Sequence, residues 1–398
     1  MSTMKAEKNE TDEEPGAPPL AQKVAFLRSA DAYPRITGAV TTVETHMSWV
    51  FLAGDRAYKL KRPLQLPYLD FSTLAKREAA CRAELKLNRR LAPELYLAVA
   101  PLRETTHGLS LAGDGRIVDW LVVMHRVNEQ LMLDAEISAH RVDMERLRAL
   151  ENILGRFYRH AQPVFAPPEK YLRTWHQLLR SNRLLLLDSR LSMPTASVLM
   201  IDRAQRRFLA RFGSLLVHRL QHQKIVEGHG DLRPEHIWLG RPLSIIDCLE
   251  FNAEFRSVDP FDELSSLAIE CERLDAPDIG NGILKSISRM LSDGVVPELL
   301  TFYRCYRATL RANLSIAHLL DSSPRTPAKW RPLALRYLEI ARREAVALNA
   351  FLNRQADRPA AGSDGGAGWL ARTNRQRPIC RSSAKLRRPT DETGEQYR

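Results

Sequence analysis

The sequence contains no apolar run long enough to cross a membrane. Its longest apolar stretches, such as WLVVM at 120–124 and LLLL at 184–187, fall far short of the roughly 18–20 residues that span a bilayer. Residues 1–19 are polar and acidic, and they lack the apolar middle of a secretory signal. We therefore expect no membrane partner and a cytoplasmic location.

Cysteine is also scarce. Five cysteines are scattered along the 398 residues, and none forms a C-x-x-C pair or the Cys/His spacing of a structural zinc site. This argues against a disulfide framework, and we expect reduced thiols. The chain length and the hydrophobic content of 44% instead predict a globular protein with room for two lobes.

Positive charge is in excess, but it is concentrated at one end of the chain. The formal net charge is +12, and residues 372–388 hold seven Lys or Arg and no acid. Gly, Ser, Pro and Asn surround these bases, so the segment cannot bury much apolar surface. We expect residues 355–398 to form a disordered basic tail and residues 1–19 a disordered acidic one. We favour a solvated basic tail over one that contacts nucleic acid.

Secondary-structure patterns divide the rest of the chain in two. Residues 20–127 begin with a short helix over 20–32, closed off by Pro34, and then read mainly as strands, at 39–45, 48–53, 56–62, 94–104 and 116–127. One helix interrupts them, capped by Ser72 or Thr73 and ended by Pro93. Residues 128–354 are mostly helical, with helices at 141–160, 170–187, 198–222, 279–291, 297–320 and 332–353 and a β-like island at 237–246. The predicted fold class is therefore α+β and bilobal, with a small antiparallel sheet lobe followed by a larger helical lobe.

The segment GHGDLRPEHIWLG at 228–240 carries the first candidate site residues. Phosphoryl transfer to a hydroxyl needs a carboxylate near the attacking oxygen and cations near the phosphates. Asp231 would orient the acceptor hydroxyl and take its proton. Arg233, two residues on, would meet the transferring phosphoryl group with a fixed, bidentate charge. His229 would brace the loop by hydrogen bonding rather than take part in the chemistry.

A second motif, IIDCLEF at 245–251, supplies a candidate metal ligand. Asp247 follows two β-branched residues that predict the end of a strand, and it would hold Mg²⁺ against nucleotide phosphates. Sixteen residues separate Asp231 from Asp247. The two motifs in this order are more specific than either motif alone.

The two motifs resemble those of protein kinases, and a kinase-like site requires an upstream lysine as its third part. In the strand predicted at 56–62, period-two alternation puts Ala57, Lys59 and Lys61 on one face. Ala57 would roof an adenine ring, and Lys59 would hold the α- and β-phosphates, with Lys61 as the rival lysine. Glu84 on the predicted helix is the expected partner of the lysine, and Glu78 is the second choice.

The resemblance to protein kinases implies two further segments that contact a nucleotide. The end of the strand predicted at 116–127 would form a hinge, in which the backbone from Met124 to Arg126 meets adenine. The turn ETHMS at 44–48 joins the first two predicted strands and contains no Gly. Its N–H groups, with Ser48, would meet phosphate oxygens. A plain tight hairpin is the alternative.

These segments together resemble a known family. HGDL at 229–232, IDCLEF at 246–251 and VDPFDELSSLA at 258–268 are similar to the aminoglycoside phosphotransferase-like branch of the protein-kinase-like fold. VETHMSWVFLAGDRAYKLKRP at 43–63 and ELKLNRRLAPELYL at 84–97 narrow the resemblance to proteins that sometimes carry a fused C-terminal P-loop kinase domain. The resemblance covers residues 22–353 and implies a fold that uses ATP to phosphorylate small molecules. It does not identify the acceptor.

The sequence departs from the family pattern in two places. His236 stands where the family usually has Asn, and imidazole nitrogen suits Mn²⁺ or Zn²⁺ better than Mg²⁺. His236 is therefore a second metal ligand that favours Mn²⁺, a structural histidine, or a sign of lost activity. No G-x-x-x-x-G-K-[ST] segment occurs, so we expect the fused P-loop domain to be absent.

The segment 247–278 is acidic, with ten acids and two bases. It could line a pocket for a cationic acceptor such as an aminosugar or a polyamine. We favour internal pairing, in which Arg307 and Arg311 on one predicted helix face neutralise Glu250, Asp259 or Glu263.

The sequence thus predicts an enzyme that moves the γ-phosphoryl group of ATP to a hydroxyl of a small molecule, such as a sugar, an aminosugar or an amino alcohol. ATP and Mg²⁺, or Mn²⁺, are the expected cofactors. The alternative is a nucleotide-binding regulator with weak or no catalysis, which the histidine at 236 favours.

Overall fold

The structure is a computed structural model that describes residues 9–10, 16–33, 36, 38–321, 324 and 326–356. The predicted tails, 1–19 and 355–398, lie largely outside these residues, as does Pro34. Within the segment 1–19, Asn9–Glu10 pairs as a short strand with Leu64–Leu66. The open edge of a small sheet offers backbone groups to any extended segment, whatever its side chains.

The strands of the described residues are concentrated before residue 126, as the sequence predicts. They are β1 Asn9–Glu10, β2 Thr41–Glu44, β3 Ser48–Ala53, β4 Arg56–Lys61, β5 Leu64–Leu66, β6 Leu69–Asp70, β7 Tyr96–Thr105, β8 Gly108–Ser110, β9 Arg116–His125, β10 Val226–Glu227, β11 Ile237–Trp238, β12 Ser244–Ile245 and β13 Ser257–Val258. The short strands β5, β6 and β8 were not predicted, because two or three residues are too few to show a period.

The helices of the described residues lie mainly after residue 132. They are α1 Leu20–Arg28, α2 Leu74–Asn88, α3 Leu133–Ser138, α4 Met144–His160, α5 Pro168–Leu186, α6 Thr195–Gln221, α7 Ala253–Arg256, α8 Pro260–Arg273, α9 Pro277–Met290, α10 Pro297–Ala317 and α11 Pro327–Ala356. The predicted cap of α2 is Thr73, whose hydroxyl accepts from the N–H of Lys76. Within the described residues, no helix combines the length and the apolar character that a membrane-spanning helix needs.

Six strands form the main sheet, in the order β2-β3-β4-β9-β7-β8, with every neighbouring pair antiparallel. The register places Lys59 of β4 opposite Val50 of β3 and Val122 of β9. A sheet lobe with one long helix, followed by a helical lobe, is the α+β, bilobal fold class that the sequence predicts.

A buried carboxylate ties two helices to this sheet. Asp119 of β9 is 1% exposed, and it accepts from Lys23 of α1 at 3.0 Å and from Arg77 of α2 at 2.8 Å. Because a buried charge is tolerated only when it is paired, this triad restricts how α1 and α2 pack on the sheet. The position of α2 in turn sets the position of Glu84.

The acidic segment 247–278 is neutralised internally, as favoured, but with other partners than those predicted. Asp262 pairs with Arg307 at 2.5 Å, and Glu270 pairs with Arg311 at 2.6 Å. Asp259 accepts from Arg219 of α6, at 2.6 Å, rather than from α10 arginines. The predicted partners were wrong because much of the segment forms α8. Asp262 and Glu270 lie on the side of this helix that faces α10, and they therefore meet Arg307 and Arg311.

Candidate nucleotide and phosphoryl-transfer site

A buried cluster of two lysines and a glutamate lies between β4 and α2. Glu84, 0% exposed, accepts from Lys59 at 2.9 Å through Oε1 and from Lys61 at 2.6 Å through Oε2. The ammonium group of Lys59 also contacts Asp247, at 2.6 Å, and that of Lys61 also contacts Glu250. The predicted contact of Lys59 with Glu84 is therefore present, and the rival Lys61 shares the same carboxylate.

The cluster stays charged at neutral pH. Burial alone would lower the pKa of each lysine, but the surrounding carboxylates raise both pKa values above the ordinary range. Burial alone would raise the pKa of Glu84, but Lys59 and Lys61 lower it. The second choice, Glu78, lies on the surface of α2 and pairs with Arg82 at 2.8 Å.

Asp247 follows β12 in a left-handed backbone conformation, with φ of 62°. Its N–H donates to the hydroxyl of Tyr96 at 3.2 Å, and the next N–H, of Cys248, donates to Asn88 of α2 at 2.9 Å. The turn leaves the Asp247 side chain 46% exposed. Burial alone would raise the pKa of Asp247, but Lys59 and then His236 lower it well below the usual range. The carboxylate is therefore ionised and accessible.

The loop at 228–236 is held from behind by Glu263 of α8. Its carboxylate accepts from the N–H groups of His229, at 3.1 Å, and of Gly230, at 2.5 Å, and also from the hydroxyl of Tyr158. His229 is 1% exposed, and its Nε2 lies 2.9 Å from the carbonyl oxygen of Ile246. Burial lowers the pKa of His229, so the ring is neutral and Nε2 donates. His229 therefore makes a hydrogen bond of the kind that the predicted bracing role requires.

Asp231, Arg233 and His236 lie together at the front of this loop. Arg233 Nε is 3.2 Å from Asp231 Oδ2, and Arg233 Nη2 is 2.9 Å from His236 Nε2. His236 Nδ1 lies 2.9 Å from the carbonyl oxygen of Asp231, so Nδ1 donates and Nε2 carries a lone pair. Burial alone would raise the pKa of Asp231, but Arg233 and then His236 lower it. Asp231 is therefore an ionised acceptor of protons and hydrogen bonds.

The donor atoms of Asp247 and His236 fit a divalent cation. His236 Nε2 is 3.6 Å from Asp247 Oδ2, which puts a hard oxygen beside an imidazole nitrogen. This pair of donors suits Mn²⁺ at least as well as Mg²⁺. Because Arg233 donates to the same Nε2, the nitrogen is shared, and Asp247 is the principal ligand that the site offers.

Part of the backbone predicted to form the hinge is already hydrogen-bonded within the sheet lobe. The N–H of Arg126 donates at 2.8 Å to the carbonyl oxygen of Asp55, which lies in the turn between β3 and β4. The Arg126 side chain is exposed. The N–H of Arg126 is therefore already bonded within the sheet lobe, just past the end of β9, and the contact of this backbone with adenine stays a prediction. Met124 packs in an apolar cluster with Tyr96 and Trp238 where the two lobes meet.

The turn at 44–48 is a plain tight hairpin, which is the alternative to a phosphate-binding turn that the sequence left open. The N–H of Ser48 donates to the Thr45 hydroxyl at 3.0 Å, and the N–H of Thr45 donates to the Ser48 carbonyl at 2.8 Å. Ser48 itself is 2% exposed. These bonds use two of the donors that the sequence assigned to phosphate, the N–H groups of Thr45 and Ser48.

Sequence reasoning missed three residues of the site. Glu250 was considered only as a partner of arginines on α10, although it bonds Lys61, and Tyr96 was read only as part of a strand. Trp238 donates from its ring N–H to the carbonyl of Asn128 at 3.2 Å. Position relative to Asp231 and Asp247 was the available signal: Trp238 lies within the first motif, seven residues after Asp231, and Glu250 lies three residues after Asp247.

Comparison with known proteins places the chain beside uncharacterized relatives. No family model matches the sequence. Three uncharacterized proteins, two from Mycobacterium tuberculosis strains and one from Mycobacterium bovis, are 32% identical over 321 residues, or 79% of this chain. The chain spans 61% of the length of these relatives.

Solved structures give lower similarity. The choline kinase LicA from Streptococcus pneumoniae matches with a TM-score of 0.49 and 13% identity over 83% of this chain and 99% of that one. A choline/ethanolamine kinase family protein from Mesorhizobium loti matches with a TM-score of 0.47 and 16% identity over 82% and 99%. The fold follows from the strand register and the contacts described above. On that geometry, the fold is α+β and bilobal, with an antiparallel sheet lobe followed by a helical lobe.

Proposed function

We propose that the protein transfers the γ-phosphoryl group of ATP to a hydroxyl group of a small molecule. One observation carries the proposal: a continuous series of contacts runs from Glu84 through Lys59 to Asp247, and then through His236 to Asp231. It joins a strand, a helix and two loops that are far apart in the sequence. A lysine and two carboxylates in one cleft are the groups that phosphoryl transfer from ATP to a hydroxyl requires.

The lysine and the strand-end aspartate would bind the nucleotide. Lys59 would hold the phosphates, and Glu84 would keep its ammonium in place. Phosphates would replace Asp247 as the partner of Lys59 and leave Asp247, with His236, to hold Mg²⁺ or Mn²⁺. The bound cation would neutralise phosphate charge. Adenine would lie against the apolar cluster that contains Met124, between the two lobes.

Asp231 would orient the acceptor. Its lowered pKa keeps it ionised at neutral pH, which is the form that accepts a hydroxyl proton. Arg233, 3.2 Å from Asp231, would place positive charge beside the moving phosphoryl group. Catalysis would then consist mainly of positioning and electrostatic stabilisation.

The acceptor class proposed is a small hydroxyl compound, such as a sugar, an aminosugar or an amino alcohol. The acidic segment gives no separate support for a cationic acceptor, because its buried acids already have partners. Asp259, Asp262 and Glu270 pair with arginines, and Glu263 accepts from the loop at 228–236 and from Tyr158. A cytoplasmic location, which suits an ATP-dependent enzyme, is part of the same proposal.

A second candidate function is a nucleotide-binding regulator without turnover. It is favoured by the position of Arg233, whose guanidinium contacts both Asp231 and the Nε2 atom of His236. In this arrangement one cation engages the acceptor-orienting carboxylate and the second metal ligand at once. A regulator would bind ATP without releasing ADP.

An ADP-release assay separates the two functions. The full chain is incubated with ATP, Mg²⁺ or Mn²⁺, and a panel of sugars, aminosugars, amino alcohols and aminoglycosides. We expect acceptor-dependent ADP release that falls at least about 100-fold in Asp231→Asn, while ATP still raises the melting temperature of that variant. Full activity in Asp231→Asn would contradict the proposed role of this residue.

The His236→Asn variant sharpens this comparison. It restores an amide oxygen, a hard ligand, so the ratio of activity in Mg²⁺ to activity in Mn²⁺ should rise. Stabilisation by ATP without turnover in the wild type, followed by turnover in His236→Asn, would support the regulator instead. An absence of any ATP-dependent stabilisation in the wild type would refute both functions.

A further inference from the structure

Two histidines and an aspartate meet at a second place in the molecule, outside the site described above. His46 lies at the tip of the turn between β2 and β3, and His318 and Asp321 lie just after α10. Each side chain offers one ligand atom, and these atoms all lie within 4.8 Å of one another. The three side chains are half-buried, so solvent ions reach them.

Local structure brings His318 and Asp321 to the same side of the chain. His318 opens a single 3₁₀ turn, His318–Leu320, and the N–H of Asp321 donates to the His318 carbonyl at 3.4 Å. Side chains three residues apart in a 3₁₀ turn are eclipsed, so these two point the same way. The His318 ring stacks on Trp330 of α11, with centroids 3.9 Å apart, and this contact restricts its orientation.

The donor set has the composition of known transition-metal sites. Two imidazoles and one carboxylate are the protein ligands of several zinc sites that keep a fourth position for water. Mg²⁺ and Ca²⁺ prefer sets of oxygen ligands and are less suited to this one. Zinc bonds of about 2.0–2.1 Å place tetrahedral ligand atoms about 3.4 Å apart, so the donors need to approach by at most about 1.4 Å. Small rotations of the side chains supply such a movement.

We propose that His46, His318 and Asp321 bind a divalent transition-metal ion, with Zn²⁺ the best match to the donors. The ion would connect the β2–β3 hairpin of the sheet lobe to the end of α10 in the helical lobe. Metal binding would therefore fix this hairpin against the helical lobe. The proposal does not rest on the proposed function, since none of the three residues belongs to the phosphoryl-transfer site.

Zinc titration of the metal-free full chain tests the site. Isothermal titration calorimetry is run on the wild type, on His46→Ala and His318→Ala, and on the control His107→Ala, which removes an exposed histidine from the turn between β7 and β8. We expect the wild type and the control to show a binding event that is at least about 10-fold weaker in both other variants. Because zinc also has donors at Asp247, the measure is the weakening of one binding event relative to the wild type.

Hydrogen exchange tests the connection between the lobes and does not require His318→Ala to fold. Zn²⁺ should slow exchange of amides 41–53 in the wild type and in His107→Ala, but not in His46→Ala, whose change lies on a turn. Equal zinc affinity in the wild type, His46→Ala and His318→Ala would overturn the site. Equal slowing of exchange in the wild type and His46→Ala would overturn the connection.

Discussion

Replacing Glu84 by glutamine removes the charge on which the buried lysine cluster depends, without leaving a cavity. Glu84 is 0% exposed and accepts from Lys59 at 2.9 Å and from Lys61 at 2.6 Å. Removing one partner of a buried ion pair costs about 3–5 kcal/mol, because the remaining charge loses its compensation. Here each lysine keeps a second carboxylate, Asp247 or Glu250. We therefore expect a loss at the lower end of that range, about 3 kcal/mol.

Urea unfolding followed by far-ultraviolet circular dichroism measures this loss. With a slope of about 3 kcal/mol per molar urea, Glu84→Gln should lower the midpoint by about 1 M. Glu78→Gln is the matched control, because Glu78 lies on the same helix and pairs with Arg82 where the side chains are 34% and 61% exposed. Exposed pairs four residues apart contribute about 0.3–0.5 kcal/mol. The control should therefore shift the midpoint by less than about 0.2 M.

The result that would refute this reasoning is equality of the two variants. If Glu84→Gln and Glu78→Gln unfold at the same urea concentration, the buried contacts of Glu84 do not hold α2 to β4. The site would then lack the fixed lysine on which the proposed nucleotide contact depends.

Three further predictions concern the supports of the site. Asp259→Asn removes the buried partner of Arg219 and should destabilise the chain by about 3 kcal/mol in urea unfolding; an unchanged midpoint would contradict the pairing. Tyr96→Phe removes the acceptor of the Asp247 N–H and should cost about 1 kcal/mol and weaken ATP binding in calorimetry; unchanged stability would show that the hydroxyl does not support the turn. Burial lowers the pKa of His229, so the unfolded chain binds that proton more readily than the folded chain. The stability from neutral His229 is therefore complete above a pH of about 6.5 and is lost as the pH falls below it. His229→Gln should reduce the change in urea midpoint between pH 7.5 and 5.5, and an unaltered change would assign it to other groups.

Local patterns in the sequence were enough to predict the face of β4 and the partner helix. Alternation alone puts Lys59 and Lys61 on one side of the strand, and the caps of α2 place Glu84 on a helix that follows. Alternation does not say which lysine reaches the carboxylate, and in the structure both do, because Glu84 has two oxygens. The chain order of the loop and strand-end motifs likewise predicted that Asp231 and Asp247 face one cleft.

Contacts between distant segments could not be predicted in this way. Glu250 is 189 residues from Lys61, and His46 is far from His318 in the sequence, so no local period relates them. Likewise, the sequence does not show that the N–H of Arg126, just past the end of β9, donates to the carbonyl of Asp55. Tertiary packing, and not the local pattern, decides these positions.

Titration of ATP with and without a divalent cation tests the central claim most directly, which is that Lys59 and the two aspartates surround a triphosphate. The account predicts that Mg²⁺ or Mn²⁺ strengthens ATP binding to the wild type by a factor at least about 10-fold larger than in Asp247→Asn. The control Asp55→Asn, which changes an exposed turn residue, should respond as the wild type does. ATP binding by Asp247→Asn that responds to the cation as the wild type does would contradict it.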